Sequence, residues 1–307
     1  MKGEKKMKVA LVNIGKIISG DINNPILDGD AILIKDKKIS KIAKEDDLDL
    51  SKVDEVVDLQ GMTVTPGLID SHAHPVLGDY TPRQKTIDFI DSSKHGGVTT
   101  MISAGEPHTP GRPKDVSGAK ALAILAHKSS QNSRPGGVKL HGGALILEQG
   151  LTKNDFEELV DEGVWLVGEI GLGTVKDPEE AAPMAQWAKE LGMKVQMHTG
   201  GTSIPGSSTV TAGDVMAVNP TVASHVNGGP TAASIDEIER LIKESDITLE
   251  LVHCGNPKMI NNVIKLAQEN DCLDRIIVGN DSPSGTGIIP LGILRVLAHI
   301  SSLNGLP

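Results

Sequence analysis

Cysteine is scarce. Only Cys254 and Cys272 are present, too few for the disulfide frameworks that staple small secreted domains. A positive excess is lacking too: 30 Lys and Arg stand against 40 Asp and Glu, a formal net charge of -10. Nucleic acid or an anionic membrane calls for a basic stripe to neutralise phosphates, so neither is expected as a partner. No apolar run approaches the roughly 20 residues of a membrane helix. The opening MKGEKKMKVALVNIG has only a short apolar stretch, broken by Asn13, with no small-residue cleavage site, so no export signal is read there. These absences leave a cytoplasmic protein that handles small molecules. What is present suits a large, loop-rich globular chain, with 34 Gly, 17 Pro and 38% apolar residues among 307. That length accommodates a barrel of about 250 residues and a small appendage.

The pattern of apolar runs changes once along the chain. From Lys8 to about Gln60, VALVNI, AILIK and KISKIA alternate with Gly, Asn and Asp turns. They read as a small antiparallel β unit, taken as the N-terminal part of a β-sandwich over residues 1–61. Beyond TVTPG, strand-like runs recur at GLIDSHAH, GVTTMISAG, GVKLHGGALIL, GVWLVGEIGLG, KVQMHTGG, TVASHVNGG, TLELVHCGN and RIIVGNDSPSG. Their spacing of roughly 30 residues is one βαβ step. The segments between them are helical in pattern: in SIDEIERLIKE, Ser234 and Glu237 have capping-box spacing, and Ile235, Ile238, Leu241 and Ile242 form an apolar stripe. Residues 62–307 are therefore expected to form a (β/α)8 TIM-type barrel, an α/β fold whose functional residues sit at the C-terminal ends of its strands.

Those ends carry His72, His74, His141, Glu169, His198, His225, His253 and Asp281 in otherwise apolar or glycine-rich stretches. His72 and His74 are two apart, so a strand turns both imidazoles to one face, where they can reach one ion. A hydrogen-bonded histidine pair at a barrel rim has the same spacing, and the context decides between the two. Four His, a Glu and an Asp are ligands suited to Zn, Fe, Mn or Co, and six suffice for two divalent ions sharing a water. Glu169 has no cation in its own run and is placed as the bridge rather than a salt-bridge partner. Asp281 is read as a metal ligand and proton shuttle, taking the water's proton and returning it to the leaving nitrogen; a helix N-cap or Asx turn is the plainer alternative. His141 is a weaker candidate for polarising substrate. Gly200, Gly201, Thr202 and Ser203, in GGTSIPGSSTV, are candidates for presenting N–H groups to an anion, or form an ordinary loop. Arg83 and Lys85 are the cations nearest the first strand's end in sequence and could meet a carboxylate. Cys254 is read as a packed thiol.

At these positions the chain resembles the amidohydrolase superfamily, whose pattern is HxH on strand one, a bridging residue on strand four, His on strands five and six, and Asp on strand eight. PRQKTIDFI, HGGVTTMISAG, GRPKD, VQMHTGGTSIPGSSTVTA, HVNGGPTA and GNDSPSGTG are similar to strings of the enamidases within it. That resemblance implies hydrolysis of the lactam of 1,4,5,6-tetrahydro-6-oxonicotinate, with release of ammonia and 2-formylglutarate. It also implies a zinc and iron pair and a homotetramer. Carried over by position, His72, His74 and Asp281 would hold one metal and His198 and His225 the other, with Glu169 between. Hydantoinases and dihydroorotases bridge with a carbamylated Lys and place Arg two residues after HxH, where this chain has Val76; one-metal deaminases carry Glu where it has Gly201. Another cyclic amidohydrolase, of imidase, hydantoinase or dihydroorotase type, and a catalytically silent barrel scaffold remain the alternatives. Relatives continue past the eighth helix with strands that complete the β unit, so a truncated C-terminus is also expected.

Overall fold

A computed structural model describes residues 7–75, 86–106, 109, 111–202, 207–228, 232–282 and 290–306. The chain divides into two compact units, Met1–Gly67 and Leu68–Pro307.

The first unit contains β1 (Lys8–Val12), β2 (Lys16–Ile18), β3 (Ile26–Leu27), β4 (Ala31–Lys35), β5 (Lys38–Ala43), β6 (Glu55–Asp58) and β7 (Thr63–Val64). One sheet has the order β5-β4-β1-β6 and the other β3-β2-β7. The expected antiparallel unit is mixed. β1 pairs antiparallel with β4 but parallel with β6, and β2 antiparallel with β3 but parallel with β7. The physical reason is the crossover through residues 44–54, which returns the chain in the same direction beside β1, a partner no local pattern specifies. Ala10, Val12 and Ala31 form one small core, and Ile14, Ile17 and Ile32 another.

The second unit alternates strand and helix: β8 (Leu68–Ala73), α1 (Thr86–His95), β9 (Val98–Ser103), α2 (Val116–Asn132), β10 (Lys139–His141), α3 (Lys153–Asp161), β11 (Leu166–Ile170), α4 (Pro178–Glu190), β12 (Lys194–Met197), α5 (Ala212–Val218), β13 (Val222–Ala223), α6 (Ile235–Glu244), β14 (Thr248–Val252), α7 (Pro257–Glu269), β15 (Ile276–Gly279) and α8 (Ile293–Asn304). Strands β8 to β10 and β11 to β15 form two parallel sheets in sequence order. Single parallel bridges, Leu145 with Val167 and Ala73 with Ser282, join them at the two seams. This is the (β/α)8 architecture expected from the spacing. Among the described residues no helix is long and apolar enough to cross a membrane.

Each expected run contains a strand because a parallel sheet buried on both faces demands near-continuous Val, Ile and Leu. β11 is buried throughout, and Phe156, Leu159, Val167, Ile170, Ile238, Leu241 and Leu249 share the main core. Each such side chain contributes about 1.5–3 kcal/mol by leaving water. On α6, Ile238, Leu241 and Ile242 are buried while Ile235 is exposed. The capping box expected there is half formed. Ser234 accepts from the Glu237 N–H, but the Glu237 carboxylate accepts from the Ala212 N–H and so ties α6 to the start of α5.

Candidate metal centre

β8 carries the HxH pair, and both imidazoles are held by their Nδ1 atoms. His72 Nδ1 lies 2.6 Å from Glu250 Oε2, and His74 Nδ1 lies 2.9 Å from the Gly105 carbonyl. A carboxylate and a carbonyl both accept, so each Nδ1 donates, and in the neutral ring the lone pair is on Nε2. Those two Nε2 atoms face one another at 3.3 Å. Two facing lone pairs in a buried site need a cation between them, and Nδ1 support of this kind is what orients metal-ligating histidines. Asp281 reaches the pair across the seam, where its N–H bonds the His72 carbonyl at 2.8 Å and the His74 N–H bonds the Ser282 carbonyl at 2.9 Å. Its Oδ1 stands 3.6 Å from His72 Nε2 and 3.3 Å from His74 Nε2. Donors bonded tetrahedrally at 2.0–2.1 Å are about 3.3–3.4 Å apart, so this donor set fits a small divalent ion.

The second group is inverted. His198 Nε2 lies 2.8 Å from the Gly201 carbonyl and donates to it, which leaves the lone pair on Nδ1. That Nδ1 is 3.1 Å from His225 Nε2, and His225 Nε2 is 2.6 Å from Glu169 Oε1. Glu169 divides its oxygens between the groups: Oε1 faces His198 and His225, while Oε2 is 3.5 Å from His72 and 3.7 Å from His74. His72, His74 and Asp281 thus form one set that could hold a metal ion, and Glu169, His198 and His225 a second.

The electrostatics favour cations. Burial by itself would lower the His72 pKa, yet Glu250, Glu169 and Asp281 raise it well above the ordinary imidazole value. Burial likewise opposes ionisation of Glu169 and Asp281, and is outweighed for Glu169 by His72 and His225 and for Asp281 by His72, His74 and His225, so both carboxyls lie below their usual range. The negative potential that draws protons onto His72 and His225 is one a divalent ion answers at neutral pH. His225 (φ 37°) and Asp281 (φ 56°) are held in left-handed backbone. Such strain costs about 1–3 kcal/mol per residue and persists where surrounding structure imposes it for function.

Other sequence candidates fare differently. His141 closes β10 as expected but joins neither group of potential ligands: its ring packs edge-on against Trp165 at 5.3 Å between centroids. Trp165 precedes Glu169 by four residues, about 13 Å of strand. Gly142 and Gly143 follow, and a Cβ at Gly143 would lie 2.3 Å from the Ala123 carbonyl of α2. The chain passes through that close approach after β10 ends and runs on through the single bridge at Leu145 to Glu148. Gly200 does not present a free N–H, since it donates to the Val210 carbonyl, and Gly201 contributes its carbonyl to His198. Thr202 is described and exposed but joins neither group of potential ligands; Ser203, Arg83, Lys85 and Val76 lie outside the described residues. His253 is half-buried, its pKa lowered by burial and by Arg295. The Cys254 thiol donates to the Asp281 carbonyl at 3.0 Å. Sequence reasoning missed Glu250, fully buried in β14, which also accepts from Ser71 Oγ at 2.5 Å. Its one signal was a lone carboxylate inside the apolar run TLELV.

An enamidase from Eubacterium barkeri is 59% identical over 297 residues, covering 97% of this chain and 77% of its own length. The crystal structure of an enamidase described as a new member of the amidohydrolase superfamily superposes with a TM-score of 0.91 at 59% identity, over 97% of this chain and 78% of that one. The chain belongs to the enamidase family of the amidohydrolase superfamily. It is a hydrolase of carbon–nitrogen bonds from a metal-dependent superfamily, and its ligand-type side chains are grouped as such an enzyme requires. The scaffold alternative is thereby set aside. A dihydroorotase of Bacillus cytotoxicus is 29% identical over 168 residues, 54% of this chain and 37% of that protein. Atrazine chlorohydrolase from Arthrobacter aurescens shares the fold, with a TM-score of 0.58 at 17% identity over 94% of this chain and 75% of its own. No family model matches the chain.

Proposed function

We propose that the chain opens a carboxylated lactam, 1,4,5,6-tetrahydro-6-oxonicotinate, at a centre of two divalent metal ions. His72, His74 and Asp281 would hold one ion and His198 and His225 the other, with Glu169 bridging. The observation that carries this reading is Glu169, whose two oxygens face two separate sets of imidazole nitrogens. When bound, a divalent pair supplies Lewis acidity, lowering the pKa of water and polarising a carbonyl.

The rest is the work of the chain's own residues. Glu250, the Gly105 carbonyl and the Gly201 carbonyl fix the tautomers of His72, His74 and His198. Asp281, whose side chain is 21% exposed and the most open of the six, takes a proton from the attacking water on a carboxylate oxygen and delivers it to the ring nitrogen as the C–N bond breaks. The opened product is an enamine; it tautomerises to an imine, and a second water releases ammonia and leaves 2-formylglutarate. The zinc and iron identities, a homotetramer, a cytoplasmic location and the assignment of residues 1–61 and 62–307 as β-sandwich part and catalytic barrel belong to the same proposal, supported by the resemblance to enamidases. The test is to supply this lactam and follow ammonia and aldehyde together. One of each per lactam consumed is expected, whereas ring opening without ammonia would point to another cyclic amide.

A further inference from the structure

Arg112 follows β9 by the loop that begins at Gly105, whose carbonyl fixes His74. On this loop the Thr109 N–H donates to the Glu106 carbonyl and the Arg112 N–H to the Thr109 carbonyl. Arg112 Nη1 donates to Glu148, and more weakly to the Pro113 carbonyl at 3.4 Å. Glu148 is fully buried, and its other oxygen accepts from the Thr174 N–H at 3.0 Å. Arg112 thus sits beyond the C-terminal ends of the strands, on the side that carries the potential ligands. Leu145 pairs with Val167 of β11, and a Cβ at Gly173 would lie 2.0 Å from the Leu147 carbonyl, so Glu148 sits beside the segment that follows β11. Thr174 lies five residues after Glu169. The loops following three successive strands therefore meet at Glu148, at the end of the barrel where substrates are bound.

The guanidinium is only partly used. It has five N–H donors in a planar fork, and among the described residues Nε and Nη2 make no hydrogen bond. The side chain is only 8% exposed, so water satisfies these donors poorly. Nε and Nη2 form the edge that closes a bidentate pair with a carboxylate. A second observation points the same way: on the same loop, the buried Glu106 oxygens and the buried Thr109 hydroxyl have no partner among the described residues.

We propose that Arg112 is the receptor for the substrate's carboxylate, held in place by Glu148 and Thr174 with its Nε and Nη2 edge open to the ligand. This rests on the carboxylated-lactam reading above. It assigns to the loop after strand two the part that Arg83 and Lys85 were expected to play.

The probes are nicotinate and nicotinamide, unreactive rings of similar shape with and without the charge. Calorimetry on metal-loaded protein should show nicotinate bound about 10- to 100-fold more tightly, as a charge-assisted bidentate pair gives. Arg112→Lys should lose most of that preference. Because Arg112→Ala leaves the buried Glu148 carboxylate without its cation and destabilises the fold, the decisive variant is the double change R112M with E148M, which removes both charges. It should bind the two rings alike. In turnover, the double variant should lose about 100-fold in kcat/KM on the carboxylated lactam and little on the same lactam without its carboxylate. Retained nicotinate preference in the double variant, no preference in the wild type, or equal losses on both lactams would overturn the proposal. If the wild type opens neither lactam but the double variant loses nicotinate preference, the reaction reading falls and Arg112 stands.

Discussion

Glu106 offers a quantitative test of how the loop after β9 is built. Its side chain is 1% exposed, neither oxygen has a partner among the described residues, and burial pushes its carboxyl from 4.5 up to about 8. Between those values the folded chain keeps a proton that the unfolded chain has released. The contribution to stability is therefore fully present below pH 4.5, falls as pH rises, and levels off above pH 8. At 1.36 kcal/mol per pKa unit the whole fall is about 5 kcal/mol, of which roughly 3 kcal/mol is lost by pH 7. Glu106→Gln keeps the shape and cannot ionise. It still buries an unpaired amide, so its stability at pH 4.5 should match the wild type to within about 1–2 kcal/mol, and the informative quantity is the change in the difference with pH. Urea unfolding of both proteins at pH 5, 7 and 9, without added metal, should show the variant gaining several kcal/mol relative to the wild type across the series. Titrations common to both proteins cancel in that difference. A difference independent of pH would mean that Glu106 finds a donor or a cation in solution, and the argument from burial would be refuted.

Other perturbations address the centre. Asp281→Ala should lower turnover by about 10³-fold while far-UV circular dichroism stays unchanged, since proton transfer by a placed carboxylate contributes on the order of 10²–10⁴; near-normal turnover would remove it from that role. Glu250→Gln loses the charged acceptor on His72 Nδ1, and chelator competition should show metal affinity weakened about 10- to 100-fold, whereas unchanged affinity would make Glu250 a packing residue only. Phe156→Ala deletes a fully buried ring beneath α3 and should cost about 3–5 kcal/mol in urea unfolding, with a loss below 1 kcal/mol contradicting the packing described.

Much of the barrel is legible in the sequence because its physics is local. A strand buried on both faces needs an uninterrupted apolar run, and a polar residue closing such a run stands out, which is how His72, His74, Glu169, His198, His225 and Asp281 were singled out. Convergence is another matter. That Glu250 lies under His72, or that Glu148 ties Arg112 to Thr174, depends on pairs 178, 36 and 26 residues apart, and no periodicity encodes them. His141 was a weaker candidate, and the run GVKLHGGALIL did not show where its ring would pack. In the fold Gly142 and Gly143 follow the end of β10 and are places where the chain passes close to α2. The parallel pairing of β1 with β6 escaped for the same reason, since a crossover sets strand direction and alternation of side chains does not. His225 and Asp281 adopt left-handed backbone, which His and Asp tolerate better than most residues but which no periodicity marks in advance.

The central claim is a bridged pair of metal sites sharing Glu169, and metal content per chain tests it most directly. Protein purified without chelator, and exchanged free of loosely bound ions, should contain two divalent ions per chain; the double variant His198→Ala with His225→Ala should retain one. A folded wild type that holds no metal, or a double variant that still holds two, would contradict the account.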